Sequence, residues 1–268
     1  MAKSKGHALT PIGLLDQYGS DAVRYWAASG RPGVDTAFDE GQMKVGRRLA
    51  IKILNASKFV LSRLGEEGEV TAPLDKAMLA GLAALVDEAT TAFDGYDYAR
   101  ALERTESFFW SFCDDYLELV KSRAYGGQGD EAAESANRAL TVSLSTMLRL
   151  FAPFLPFVTE EVWSWWKEGS VHRATWPTAE ELRGPAGAGA DPLVLEVASS
   201  VLGEVRKAKT VAQVSMRAEV ARAVVGDTPE RLAALAAAEG DVRDAGRIAD
   251  LVTHEADQPS VTVELAQP

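Results

Sequence analysis

Between residues 40 and 151 the chain carries four long segments whose apolar residues recur every three to four positions, separated by short breaks. That spacing matches the turn of an α-helix and gives each segment an apolar stripe, which must be buried against another. The pattern predicts helices over about Glu40–Leu64, Leu74–Phe93, Tyr98–Arg123 and Glu131–Phe151, with breaks at Asp94-Gly95 and Gly126-Gly127-Gln128-Gly129. Long helices joined by short connections pack as antiparallel neighbours, so the expected fold is mainly α, an antiparallel helical bundle. Phe108, Phe109, Phe112, Tyr116, Leu117 and Val120 form a stripe suited to its core.

Shorter elements flank the bundle. Thr10-Pro11 reads as an N-cap and first-turn proline opening a helix GLLDQY that Gly19 ends; Ser20-Asp21 caps a second, DAVRYWAAS, closed by Gly30 before the turn Arg31-Pro32-Gly33. Beyond Phe151, the prolines of Ala152-Pro153-Phe154-Leu155-Pro156-Phe157 make a corner. Val158–Lys167 is expected to resume as helix with Glu160-Glu161 as first-turn acids, and SVHRATWP (170–177) as an extended segment whose Trp-Pro packs back on the bundle. Residues 183–191 are rich in Gly, Ala and Pro and read as a linker. After it come a helix near Leu193–Lys209, a strand near Ala218–Val225, helices about Pro229–Ala237 and Asp241–Ala245, and strands near Ile248–Glu255 and Val261–Ala266, a small α/β domain over 192–268.

Composition excludes several functions. A chain of 268 residues, 47% hydrophobic and 25% charged, can bury a sizeable core. It has neither a run of about 18 apolar residues nor a signal-peptide pattern, so a soluble cytoplasmic protein without a membrane partner is expected. Cys113, among aromatics, reads as a buried thiol, and His7, His172 and His254 lie too far apart for a metal site. Gly187-Ala188-Gly189 is no dinucleotide fingerprint, and no βαβ pattern is read.

The net charge of −11 is unevenly spread: residues 1–65 hold ten Lys/Arg against five Asp/Glu, while residues 66–268 hold eighteen against thirty-four. The first long helix is the basic element. At 100° per residue Met43, Leu49, Ile53, Leu54, Val60, Leu61 and Leu64 share one broad face, while Lys44, Arg47, Arg48, Lys52, Asn55 and Lys58 gather on the other, interrupted by Ile51 and Phe59. Cations spaced in this way can track a phosphate backbone; a solvated outer face has the same pattern. No Asp or Glu occurs between Gly41 and Gly65, which favours the first. Arg206, Lys207 and Lys209 give a later helix a basic end that suits either its dipole or RNA.

Residues 1–10, MAKSKGHALT, resemble the Lys-Met-Ser-Lys-Ser loop of class I aminoacyl-tRNA synthetases, beginning at the motif's methionine, with Ala2 for the first serine and His7 for the usual asparagine. PIGLLDQYGSDAVRYWAASGRPGVDTAFDEGQMKVGRRLAIKILNASKFVL resembles the region after that loop in valyl-tRNA synthetases, and YDYARALERTESFFWSFCDDYLELVKSRAYG with LRLFAPFLPFVTEEVWSWW resembles their anticodon-binding bundle. The resemblance implies that residues 1–34 are a remnant of the catalytic domain's signature loop and following helices, and 35–182 the anticodon-binding bundle. It places Lys3 in a catalytic role on the ATP triphosphate, with Ser4 and Gly6 beside it, and Lys44, Arg47, Arg48, Lys52, Asn55 and Lys58 on tRNA. The function implied is tRNA binding by the carboxy-terminal portion of an ATP-dependent valine–tRNA ligase, as a monomer and with valine tRNA as partner. Lacking a Rossmann core, the chain is expected to be inactive alone and to need neither metal nor bound cofactor, ATP belonging to the full enzyme. The other reading is a free-standing structural or regulatory helical protein, derived from a synthetase, that does not bind RNA.

Overall fold

Several helices begin where the sequence supplies a cap or a proline in the computed structural model, which describes residues 11–65 and 68–266. Asp39 accepts from the backbone N–H of Gly41 and Gln42 and opens α3, Glu40–Leu61. Asp191 accepts from Leu193 N–H at 2.9 Å, ahead of Pro192, and opens α10, Pro192–Val211. The described residues are mainly helical with one three-stranded sheet, a helical bundle followed by a small α/β part. No helix among the described residues is long and apolar enough to cross a membrane.

The described residues pack as two units that interleave along the sequence. One holds residues 11–62, Leu85–Ser107 and Leu144–Pro177; the other holds Arg63–Ala84, Phe108–Ser143 and residues 178–266. Boundaries at 34/35, 182/183 and 191/192 do not coincide with these units. Helices α4 (Pro73–Asp94), α5 (Tyr98–Ser111) and α7 (Asp130–Phe151) each give one part of their length to each unit.

The first unit is built on α1 (Pro11–Tyr18), α2 (Ser20–Ala28), α3 and α8 (Pro156–Ser164). Tyr18, Ala22 and Met43 are buried together, packed by Leu14, Val23 and Trp26. Gly46 lets α2 come close, since a Cβ there would stand 2.6 Å from that of Tyr25. The Tyr25 hydroxyl donates to Glu106 at 2.6 Å, and burial pushes its pKa upward.

Some sequence expectations are corrected here. Gly19, not Ser20 or Asp21, occupies the N-cap of α2. Asp21 is buried and accepts instead from Phe157 N–H (3.1 Å) and Val158 N–H (2.8 Å), capping α8 from 136 residues away. Pro156 starts α8 two residues before the expected Val158, as a first-turn proline can. Glu160 is bound not at its own helix end but by the Ser170 hydroxyl (2.9 Å) and Val171 N–H (3.0 Å), which fold 171–173 into a 3₁₀ turn rather than an extended segment. Trp176 does pack back, donating to Thr90 Oγ1 at 2.9 Å and meeting Phe93 edge-on. Leu64 lies beyond the end of α3 and is exposed.

In the second unit the helix expected over Tyr98–Arg123 is broken by a π-turn at Phe112–Tyr116, after which α6 runs Leu117–Ala124. Phe112, Cys113, Tyr116, Leu117, Leu119 and Val120 are all buried, more than one face of a regular helix presents, and the widened turn accommodates them. Phe108 is only half-buried. The linker region contains the end of α9, Glu180–Ala186; Pro185 weakens it and Gly187, at φ +72°, ends it.

β1 (Val220–Asp227) lies between β2 (Ile248–Glu255), to which it is parallel, and the antiparallel β3 (Ser260–Leu265). The parallel pair is joined through α11 (Pro229–Ala236) and α12 (Glu239–Gly246), a strand–helix–strand crossover that the sequence reading missed because two short helices stand where one long one is usual. No glycine separates β1 from α11, so the crossover has no phosphate loop of the dinucleotide-binding kind.

A buried polar cluster ties this unit together. Arg123 donates to both carboxylate oxygens of Asp75 (2.6 and 2.7 Å) and to both of Asp241 on α12 (2.9 and 3.1 Å). Asp75 also accepts from the Tyr116 hydroxyl (2.7 Å) and the Ser135 hydroxyl (2.6 Å), while Ser135 accepts from Thr71 and Ala72 N–H. All five side chains are buried, so each charge depends on its partners.

Candidate nucleic-acid interface

α3 turns its buried face, Met43, Gly46, Leu49, Ile53, Ala56 and Val60, into the first unit. Its start is fixed twice, by the Asp39 cap and by the Tyr18 hydroxyl, which donates to Glu40 at 2.6 Å. Opposite the buried face, Lys44, Arg47, Arg48, Ile51, Asn55 and Lys58 are exposed. At 100° per residue they fall in an arc of about 100°, and Lys44 to Lys58 spans about 21 Å of helix.

The predicted residues do not all stand alike. Among the described residues no carboxylate pairs with Lys44, Arg48 or Lys58. Arg47 donates to the carbonyl of Gln17 at 2.9 Å, which spends one of its donors on α1 and leaves the rest outward. Lys52 lies at the edge of the arc, half-buried and with an interaction of its own. Ile51, which interrupts the basic arc in sequence, sits at its centre and is 48% exposed. Lys3, Ser4 and Gly6 lie outside the described residues.

The basic end of α10 is occupied otherwise. Lys209 is buried and donates to the carbonyls of Met216 and Gly246, Arg206 donates to the carbonyl of Asp114, and Lys207 pairs with Glu204. A concavity of about 580 Å³ in the first unit is lined by Asp35, Asp39, Glu103 and Glu106, carboxylates that would repel a phosphate. What the α3 arc offers chemically is a row of cations for phosphate oxygens, with one amide, Asn55, carrying both a donor and an acceptor.

The chain belongs to the family described as the anticodon-binding domain of tRNA ligase, which matches residues 75–225. Within that class its likeness is to the carboxy-terminal part of valine–tRNA ligases. It is 58% identical to the valine–tRNA ligase of Salinispora tropica over 97% of this chain and 32% of that protein, and 58% identical to that of Thermobifida fusca over 99% of this chain and 30% of that protein. The chain therefore spans about a third of the length of the curated relatives it matches. Among solved structures, the LeuRS–tRNA–LeuAMS ternary complex of Agrobacterium radiobacter K84 has the same fold at a TM-score of 0.54 and 19% identity, covering 68% of this chain and 22% of that one. The family's matched residues begin after α3, whereas the Salinispora alignment leaves out too little of the chain to omit the 22 residues of α3.

Proposed function

We propose that the chain binds valine tRNA through α3 as the anticodon-reading portion of a valine–tRNA ligase, and serves valyl-tRNA formation as part of that longer enzyme. The observation that carries this is the α3 arc itself, in which exposed cations, three of them without an ion pair among the described residues, are held by a buried opposite face. Lys44, Arg47, Arg48 and Lys58 hold backbone phosphates, with Lys52 at their margin. Such contacts set register and give affinity but carry no sequence information. Discrimination falls to groups such as Asn55, which can match a base edge, and Ile51 beside it. Lys3, Ser4 and Gly6 contribute to ATP binding in the longer enzyme by their likeness to the signature loop.

The test is a fluorescence titration of wild type and a Lys44→Ala/Arg48→Ala/Lys58→Ala variant against valine tRNA and an unrelated tRNA at several salt concentrations. Each lost contact is expected to lower the slope of log affinity against log salt by roughly 0.7–0.9. Asn55→Ala is expected to reduce the preference for valine tRNA while leaving the slope intact. A folded triple variant with unchanged affinity and slope refutes the reading; absence of any tRNA binding by wild type turns it to a structural or regulatory protein.

A further inference from the structure

The second unit carries a cationic cleft in the more acidic part of the sequence. Beyond residue 65 the chain holds eighteen Lys/Arg against thirty-four Asp/Glu. Yet a cleft of about 690 Å³ is lined by Lys121 of α6, Arg206 and Lys209 of α10, Arg217 ahead of β1, and Arg247 after α12. The carboxylates lining it are Glu118 and Asp244.

These cations are only partly neutralised. Lys121 pairs with Glu118 at 3.3 Å and Arg247 with Glu219 at 3.2 Å. Arg206 leans on the Asp114 carbonyl at 2.6 Å and, more distantly, on Asp115 at 3.6 Å. Arg217 is exposed and, among the described residues, makes no ion pair. Lys209 is the most telling: it is 1% exposed, its ammonium donates to the carbonyls of Met216 (3.1 Å) and Gly246 (2.9 Å), and among the described residues no carboxylate closes on it. Carbonyl dipoles satisfy hydrogen bonds without cancelling charge, so this ammonium presents its field to the cleft through low-dielectric surroundings. Burial lowers its pKa, and the charges of Arg247 and Arg206 lower it further, as expected where cations converge.

The rim adds a second feature. Tyr125 lines the cleft and is 51% exposed, with the Arg63 guanidinium 4.3 Å from its ring centroid. Cations drawn from separate elements beside an exposed ring suit a run of phosphates with a base to stack, more than one small anion.

We propose that this cleft binds the backbone phosphates of an RNA strand, with Lys121 and Arg217 as direct contacts and Tyr125 as a stacking surface, at a site separate from the α3 arc. The identity of the polyanion as RNA rests on the function proposed above; the cationic character of the cleft does not.

The full chain is titrated with valine tRNA at several salt concentrations as wild type, as Lys121→Ala/Arg217→Ala, and as the α3 triple variant, with melting curves to verify folding. Both substituted cleft residues are exposed, so the fold should persist. The cleft variant is expected to lower the salt slope by roughly 0.7–0.9 per contact, and Tyr125→Ala to weaken binding about fivefold or more with the slope unchanged. If only the α3 variant changes the slope, the cleft inference is overturned and the proposed function stands; if only the cleft variant does, the cleft stands and the α3 assignment falls. If wild type binds no tRNA, both fall. Inorganic pyrophosphate binding that the cleft variant loses, with an unchanged tRNA slope, overturns the assignment to RNA and makes the cleft a free-anion site.

Discussion

Replacing Arg123 by methionine is expected to destabilise the second unit by about 3–5 kcal/mol, the usual cost of removing one member of a buried ion pair. The geometry explains the size. Arg123 is 2% exposed and sits between two carboxylates, binding each through two N–H groups. Methionine restores the bulk but leaves Asp75 and Asp241 buried without a cation. For a unit of this size such a loss corresponds to a fall in melting temperature of roughly 6–20 °C. The pH dependence separates lost charge compensation from lost packing. Burial already raises the Asp241 pKa, with Arg123 holding it back, so the substitution raises it further. A carboxylate whose folded pKa exceeds its unfolded value of about 3.9 favours folding at low pH and loses that stabilisation as pH rises through the folded value. The penalty of Arg123→Met should therefore be largest near pH 7 and shrink toward pH 5. Adding Asp75→Asn and Asp241→Asn should recover part of it, because both buried charges are removed and the amide oxygen at 75 still accepts from one of the two hydroxyls, Tyr116 or Ser135, that now bond separate carboxylate oxygens. Amide exchange is the assay: protection should drop in α6 and α12 while α3, in the other unit, keeps its own. A pH-independent loss, or one below about 1 kcal/mol, refutes the argument.

Three smaller perturbations probe the first unit. Gly46→Ala places a Cβ 2.6–2.8 Å from Tyr25 Cβ, Cγ and Cδ1 and should cost about 1–3 kcal/mol in urea unfolding, a cost that Tyr25→Phe should not relieve because it keeps all three atoms. Asp21→Ala removes the acceptor for Phe157 and Val158 N–H and should cost about 0.5–2 kcal/mol, with faster exchange at the start of α8 and less loss for Asp21→Asn. Glu88 bridges Arg104 and Arg100, whose hydrogen bonds hold its pKa down, so its stabilisation is complete above the unfolded value of about 4.3 and fades as pH falls through the folded one. Glu88→Gln should cost under about 1 kcal/mol at pH 6, and its difference from wild type should narrow below pH 4.

What sequence patterns reveal is whatever depends on near neighbours. The period of α3 places Met43, Leu49 and Ile53 inside and Lys44, Arg48 and Lys58 outside, as observed, because one helix decides both faces. The strand Ile248–Glu255 is read to its end residues for the same reason. Distant partners leave no such trace. Asp21 looks like the cap of its own helix and serves another; Lys209 looks like a surface cation and is buried by carbonyls 7 and 37 residues away. Arg47 and Lys52 show the same limit within the candidate interface: periodicity sets the side of the helix, but the Gln17 carbonyl draws one and the packed edge partly covers the other. The π-turn escapes because Phe112–Tyr116 contains no glycine or proline to mark a break and only the crowd of buried side chains calls for a wider turn.

The Asp75–Arg123–Asp241 cluster bears on where this protein can be cut. The residues by which the family is recognised, 75–225, include Asp75, Arg123 and Ser135 but stop short of Asp241, and they hold most of β1 without the strands on either side of it. A fragment trimmed to those limits, or severed in the Gly/Ala/Pro-rich stretch 183–191, would leave a guanidinium half-answered in its interior. The stretch that defines the family is thus shorter than the unit that shares this buried charge cluster, and a piece meant to keep the cluster whole has to extend through α12.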